Sequence, residues 1–301
     1  MLQNSRALLY LSILIRILAN PLANVFQKQL TQRSAHPVFI IFAVYVFLAV
    51  ACLPYLLLSG RLEFTAAVWP NMIAAAFLAV TSNALIVYAL GEADLSVLGP
   101  INAYKSVVGL LLGLFLVGER PTIFGVIGML LIVAGSYFVV DRKTNQPLAH
   151  AFVRFFSGRG IQLRCAALVL SATEAIFLKR AILVSSPETV FVLWCLFGLT
   201  MAAPWAWALF GRTIADQLAV LRRALGRFLS LALATGTMQL ATLLTLRDFQ
   251  VGYSLALFQL SAIVSVFLGG RYFGESNIRE RLVGATVMAA GAMLIVLFGS
   301  G

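Results

Sequence analysis

Stretches of about 20 apolar residues recur along almost the whole sequence, and they constrain the fold more than any other feature. A helix of that length spans the roughly 30 Å hydrocarbon core of a bilayer. The chain is 61% hydrophobic and 11% charged, whereas an ordinary soluble domain carries about 25% charged residues. Because a soluble core could not bury so much apolar surface, we predict an all-α integral membrane protein.

Charged residues and Pro/Gly positions divide the sequence into ten predicted transmembrane helices. The first five cover about 7–28, 37–58, 67–90, 95–117 and 122–140, and the second five cover about 161–182, 189–210, 227–247, 252–273 and 280–299. A polar segment from Asp141 to Arg164 separates the two sets. We therefore expect a five-helix unit over 1–140, a connecting loop over 141–160 and a second five-helix unit over 161–301.

The two sets of helices are related by an internal repeat. An offset of 156 residues aligns polar residues and glycines of the last three helices in each half: Asn83 with Gln239, Glu92 with Asp248, Gly113 with Gly269, Glu119 with Glu275, Gly128 with Gly284 and Gly135 with Gly291. The first two helices align at offsets of 151 and 150, which match Lys28 with Lys179 and Pro37 with Pro187. A repeated unit with an odd number of spans enters the membrane from the opposite side. The sequence therefore predicts two inverted repeats, an architecture common among transporters.

Two runs in matching positions of the repeats resemble a known family. The runs Gly99-Pro100 through Gly118-Glu119-Arg120-Pro121 to Gly135, and Ser254 through Gly274-Glu275 to Gly291, resemble the EamA-type module of the drug/metabolite transporter superfamily. The resemblance covers nearly the whole chain as two copies, and Ala256 departs from it where the first copy has Pro100. It implies a ten-helix fold that transports small metabolites, amino acids or related compounds.

Two ionisable residues inside predicted helices are the first candidates for a solute site. Lys105, next to Tyr104, lies in helix four, and Glu174 lies in helix six. A charge at the bilayer centre costs about 2.5–3.5 kcal/mol, so such residues by default mark a substrate or ion path. We expect both to face a central, water-accessible cavity, where Lys105 would favour a carboxylate and Glu174 could couple transport to protons. The alternative is a buried ion pair that only fixes helix packing.

Helix one carries a polar stripe, because Arg16, Asn20 and Asn24 are spaced four residues apart beside Pro21. The stripe is expected to face inward, either as a solute-facing wall or as a seam of hydrogen bonds between helices. Four weaker binding candidates lie within other helices: Asn83, Tyr88, Gln239 and Gln259.

Other recurring residues are assigned structural roles. Glu119 and Glu275 precede the fifth helix of each half, where an acid offsets the positive end of the helix dipole, and the repeat predicts them on opposite membrane surfaces. Gly109 and Gly113 share a face of helix four, which favours close packing over a hinge. The cysteines are widely spaced and the histidines isolated, so we expect no metal and no cofactor.

These observations favour a secondary transporter that moves a small metabolite by alternating access. Its partners would be the solute, the bilayer, and a coupling proton or exchanged solute. A membrane-embedded lipid-group transferase and a passive channel are the alternatives. The sequence has no P-loop, zinc-protease motif or nucleophile elbow, which disfavours an enzyme.

Membrane orientation is predicted differently by two arguments. Fourteen of the 22 Lys and Arg residues fall on the side of the loops 28–36, 141–164, 211–227 and 271–281, and six fall on the side of both termini. The positive-inside rule then places both termini outside, and this count carries more weight here than the EamA resemblance, which implies cytoplasmic termini. A bacterial inner membrane is the expected location.

Overall fold

The computed structural model describes residues 2–59, 65–105, 107–108, 122–139, 156–211, 213–249 and 251–298. Within these ranges the chain consists of helices and turns, with no strand. The helices are α1 (Leu2–Thr31), α2 (Pro37–Ser59), α3 (Val68–Glu92), α4 (Leu95–Ile101), α5 (Ile123–Val139), α6 (Arg159–Leu183), α7 (Pro187–Phe210), α8 (Ile214–Arg223), α9 (Leu225–Asp248), α10 (Val251–Phe258), α11 (Ser261–Phe273) and α12 (Ile278–Phe298).

Six of these helices, namely α1, α2, α3, α6, α7 and α9, contain segments long and apolar enough to cross a membrane. Shorter apolar segments lie in α5 and α11. Large apolar side chains cover the outer surface: Leu58 is 87% exposed and Leu233 is 70% exposed. An apolar exterior of this kind suits lipid and not water. The helices therefore indicate an integral membrane protein, as the sequence predicted.

The described helices differ from the predicted ones in three places. Predicted helix four is represented by α4 and a few following residues, because 109–121 lie outside the described ranges together with Gly109, Gly113 and Glu119. Predicted helix nine is two helices, α10 and α11, separated by a turn at Gln259–Leu260. The predicted loop near 211–226 contains the helix α8, and none of the side chains of α8 is buried.

Helices α1 and α9 pack side by side in antiparallel directions. Near the start of α1, the hydroxyl oxygens of Ser12 and Thr245 lie 3.2 Å apart. Near its end, Arg227 Nε donates to Gln29 Oε1 over 3.3 Å. Because residue numbers rise along α1 as they fall along α9, the two helices run in opposite directions.

Helices α3 and α6 form a second pair of this kind. The end of α3 meets the start of α6, where Arg159 Nε lies 3.4 Å from Glu92 Oε1. Gly160 packs so closely there that an added Cβ would lie 3.0 Å from the Ala93 Cβ. The small residue allows the two helices to approach at this point.

Glycines bring the backbones of α5 and α12 into direct contact. A Cβ on Gly128 would lie 2.6 Å from the carbonyl oxygen of Gly291, and one on Gly135 would lie 2.9 Å from that of Gly284. These two crossings also define an antiparallel pair. The four glycines matched by the repeat thus contact one another across the halves.

A hydrophobic cluster fills the space between α2 and α7. The rings of Tyr45 and Trp194 lie 4.9 Å apart, and Gly198 packs against the Tyr45 ring. Trp194 is 1% exposed, so its indole N–H needs an internal acceptor. The acceptor is the carboxylate of Glu174 on α6.

Candidate functional site

Three basic side chains and one acidic side chain cluster deep within the helices. They are Arg16 of α1, Lys105 beyond α4, and Arg164 and Glu174 of α6. Lys105 interacts electrostatically with the other three, and Arg16 interacts with Glu174 and Arg164. The structure thus brings Lys105 and Glu174 together with Arg16 of the α1 stripe, while the water-accessible cavity that they were expected to face stays a prediction.

Arg16 lies on α1 and contacts both α9 and α10. Its Nε donates to Thr242 Oγ1 over 2.7 Å, and its guanidinium carbon lies 4.7 Å from the centre of the Phe258 ring. Its Nη1 is buried and has no hydrogen-bond partner among the described residues. One edge of this cation is therefore anchored while another carries an unused donor.

Glu174 and Arg164 are both buried on α6. Glu174 accepts a hydrogen bond from Trp194 Nε1 over 3.1 Å, and Arg164 Nε donates to the Leu98 carbonyl oxygen over 3.2 Å. Each charge thus has at least one partner, as a buried charge requires. The Lys105 residue, by contrast, is half-buried.

Two buried glutamines add polar atoms that lack partners. Gln239 of α9 is 5% exposed and Gln259 is 2% exposed. Within the described part of the chain, Gln239 Nε2 and Gln259 Oε1 have no hydrogen-bond partner. Gln239 precedes Thr242 by three residues, which places both on the face of α9 that meets Arg16.

The helices break at matching positions beside this cluster. Turns interrupt the helix at Asn102–Ala103 and at Gln259–Leu260, and the offset of 156 relates Ala103 to Gln259. Pro100 lacks the N–H that would bond within the first helix. In the second, Gln259 Nε2 donates to the Leu255 carbonyl oxygen over 2.8 Å, which competes with backbone bonding. Broken helices at the site are a feature of many transporters.

The remaining predicted binding residues are placed as follows. Asn20 Nδ2 lies 3.4 Å from Ser261 Oγ, and Asn24 is buried. Asn83 Nδ2 donates to its own helix at Ala79 O over 2.9 Å.

The two predicted tyrosines contact other aromatic rings. The Tyr104 ring packs edge-on against Phe156 with the ring centres 6.1 Å apart, and the Tyr88 hydroxyl lies 3.3 Å from His36 Nε2. Asn20 reaches the first residue of α11, whereas Tyr88 bonds to a residue in the loop after α1.

Arg164 was not among the predicted site residues, because it was counted with the polar segment that ends there, although it also lies at the start of predicted helix six. It lies within α6 and is 4% exposed. Counting 20 residues back from the helix end at Leu183 reaches Arg164. Arg164 therefore lies within the length that a helix needs to cross a bilayer.

A second polar network joins the halves near the end of α1, which we name the Lys28 end. Glu275 Oε1 accepts from Lys28 Nζ and from the backbone N–H of Leu95, and Oε2 accepts from the N–H of Ser96, each over 2.8 Å. Arg281 Nη1 lies 3.9 Å from Glu275 Oε2. Glu275 was expected to serve the helix that follows it, but it caps the start of α4 in the other half.

The environment of Glu275 favours its ionised form. Burial by itself would raise the pKa of Glu275, but the hydrogen bonds from Lys28 and Ser96 and the Lys28 charge together lower it below its ordinary value. Arg281 also donates to Asp94 Oδ2 over 2.9 Å. Glu275 is therefore ionised at neutral pH.

A related lysine contact occurs at the opposite end of the helices. Lys28 Nζ donates to the Ala93 carbonyl oxygen over 3.1 Å, and Lys179 Nζ donates to the Phe249 carbonyl oxygen over 3.1 Å. The offset of 151 relates the two lysines, and the offset of 156 relates the two acceptors. The same local contact is thus made in both halves.

Comparison with protein families gives a match to the description "EamA-like transporter family" over residues 8–141. Residues 8–141 are therefore similar to this transporter family. This match confirms the resemblance predicted from the sequence for the first half. The EamA-like segment contributes Arg16 and Lys105 to the central cluster and Lys28 to the network at its end.

Comparison with solved structures gives a likeness in fold over nearly the whole chain. Matches include 28 chains, among them one described as "Crystal structure of protein", which is 16% identical. That alignment has a TM-score of 0.57 and covers 95% of this chain and 96% of the other. At this identity the likeness concerns the fold alone. A search of curated proteins found no match.

Proposed function

We propose that the protein is a secondary transporter that moves a small organic solute across the membrane by alternating access. The observation that carries the proposal is the central cluster, in which Arg16 and Lys105 come from the EamA-like segment and Arg164 and Glu174 come from the second half. Charges at this depth are costly unless they serve a solute or ion. A site between the halves changes shape when one half moves against the other.

We further propose that units 1–140 and 161–301 are inverted five-helix repeats joined by 141–160. The packing of helices supports this arrangement. When each helix is replaced by its counterpart in the other half, the α1–α9 pair becomes the α6–α3 pair. Both pairs are in contact in the structure. The same exchange converts the Gly128–Gly291 contact into the Gly135–Gly284 contact. A pseudo-twofold axis in the membrane plane requires such reciprocal contacts.

The Lys28 end supplies the closed side of the transport cycle. Glu275 ties the end of α1 and the start of α4 to the second half, and it is 3% exposed at its side chain. Opening this end for the solute requires these contacts to separate. Each rocking movement would therefore exchange one set of contacts between halves for another.

An enzyme is less well supported, because the matching family consists of transporters. No ATPase module is present in the sequence. The energy would come from an ion gradient or from exchange of solutes. Glu174 is the proposed proton acceptor if transport is coupled to protons.

Reconstitution into liposomes tests the proposed function. A panel of labelled small solutes is loaded, and exchange across the membrane is measured with wild type, Lys105→Met and Glu174→Gln. The exposed acid Glu188 at the start of α7 provides the matched control, Glu188→Gln. Saturable exchange that is lost in both cluster variants and kept in the control is the expected result.

Two outcomes would contradict the proposal. Flux that rises linearly with solute concentration would indicate a passive channel. Saturable exchange that is unchanged in both Lys105→Met and Glu174→Gln would separate transport from the central cluster.

A further inference from the structure

The central cluster contains more positive than negative charge. Arg16 and Lys105 interact with the acid Glu174, and both also interact with Arg164. With all four ionised, three cations and one anion leave two positive charges uncompensated. Desolvating an ion costs several kcal/mol even after relaxation, so a solute that brings negative charge would stabilise this site.

The second observation is a pair of buried donors without acceptors. Across the described ranges, neither Arg16 Nη1 nor Gln239 Nε2 has a hydrogen-bond partner. An unsatisfied buried donor destabilises the folded protein, and more so when it is charged. Arg16 already donates to Thr242, one turn from Gln239 on the same face of α9. Both donors therefore lie at the contact between α1 and α9.

Building on the proposed function, we propose that the transported solute is a small organic anion whose carboxylate is bound between Arg16 and Gln239 and faces Lys105. A carboxylate offers two oxygens, which match the two unused donors. Its charge also offsets the excess positive charge. Phe258, which lies over the Arg16 guanidinium, provides an apolar surface for the carbon part of the solute.

The other end of the solute has a polar contact available. Gln259 Oε1 is a buried acceptor with no partner within the described chain, and it lies next to Phe258 in sequence. A hydroxyl or amino group on the solute would donate to this oxygen. The site thus favours a short carboxylic acid that carries a second polar group.

Binding to the full-length purified chain in detergent tests this inference. The probes are butyrate, succinate, glutarate and 4-hydroxybutyrate, each compared with its primary amide, together with inorganic phosphate. We expect at least one acid to bind at least tenfold more tightly than its amide. We also expect Gln239→Leu and Arg16→Met to reduce that affinity at least tenfold, while Arg247→Gln, which changes an exposed pair with Asp248, has no effect.

Several results would overturn the inference. They are equal affinity for every acid and its amide, tighter binding of phosphate than of every carboxylate, and unchanged acid affinity in Gln239→Leu. Gln239→Leu exchanges an amide for an apolar side chain of similar size, so it provides the test if Arg16→Met does not fold. A normal thermal unfolding transition identifies folded variants.

The same probes distinguish this inference from the proposed function. Selective carboxylate binding without exchange in liposomes would contradict transport and support the anion site. Saturable exchange of amides with no binding of the acids would support transport and contradict the anion site.

Discussion

Replacing Glu275 with Gln should loosen the Lys28 end of the protein. The glutamine keeps one acceptor oxygen and replaces the other by an N–H donor. In the wild type, the two oxygens serve the N–H groups of Leu95 and Ser96 and the ammonium of Lys28. The variant therefore leaves one donor without an acceptor and leaves Lys28 and Arg281 without their shared counter-charge.

The size of the effect follows from these contacts. An unsatisfied buried donor costs about 1–3 kcal/mol, and a hydrogen bond to a charged group contributes about 1.5–3 kcal/mol. Lys28 keeps its bond to Ala93 O and Arg281 keeps Asp94, which reduces the loss. We expect about 2–4 kcal/mol in total, which lowers the ratio of closed to open states about 30- to 700-fold.

The native Cys165 provides the assay. It is half-buried on α6, near the α6 end where Arg159 meets Glu92. In a background with Cys52→Ala and Cys195→Ala, the rate at which N-ethylmaleimide alkylates Cys165 reports opening of this end. We expect Glu275→Gln to accelerate alkylation at least tenfold.

The matched control lies at the other end of the helices. Asp248→Asn removes an exposed ion pair with Arg247, and exposed pairs contribute about 0.2–1 kcal/mol. Its alkylation rate should equal that of wild type. Equal rates for Glu275→Gln and wild type, or an equal increase in Asp248→Asn, would refute the assignment of Glu275 to a closed contact.

Three further outcomes are expected. Because the pKa of Glu275 is lowered in the folded protein, its stabilisation is present above the unfolded pKa and is lost as pH falls through the folded pKa. The difference in unfolding temperature between wild type and Glu275→Gln should therefore be fully present at pH 7 and begin to decrease below about pH 4. Gly128→Ala places a Cβ 2.6 Å from the Gly291 carbonyl oxygen and should lower stability by about 1–3 kcal/mol in thermal unfolding, since overpacking forces the backbone to shift; an unchanged transition would argue against close contact of α5 and α12. Trp194→Phe removes the hydrogen bond to Glu174 and should lower stability by about 1–3 kcal/mol, with unaltered unfolding counting against a buried acceptor.

The positions of most helices could be predicted because apolar length alone constrains a transmembrane helix. α1 to α3, α6, α7 and α9 agree with their predicted spans within a few residues, except at the start of α1. The break before Ser261 could not be predicted, since the apolar pattern continues through it. The Gln259 side chain bonds there to the Leu255 carbonyl oxygen four residues earlier, and a single glutamine in an apolar run does not by itself predict such a bond.

The candidate site was predicted in part for a similar reason. Lys105 and Glu174 are conspicuous as charges in apolar sequence, and the structure places them together with Arg16. Arg164 was not recognised because the nearby Arg159 and Arg154 made its surroundings resemble a loop. The backbone N–H groups that donate to Glu275 belong to a helix 179 and 180 residues away, and such a partnership leaves no local pattern.

The pairing of α1 with α9 also has a consequence for biosynthesis. Arg16 and its partner Thr242 are separated by 226 residues, which a ribosome needs about 10–45 s to add at 5–20 residues per second. During that interval the polar face of α1 is in the membrane without the helix that covers it. The newly made first half must therefore depend on lipid headgroups, water or an insertion factor to shield Arg16 until α9 arrives.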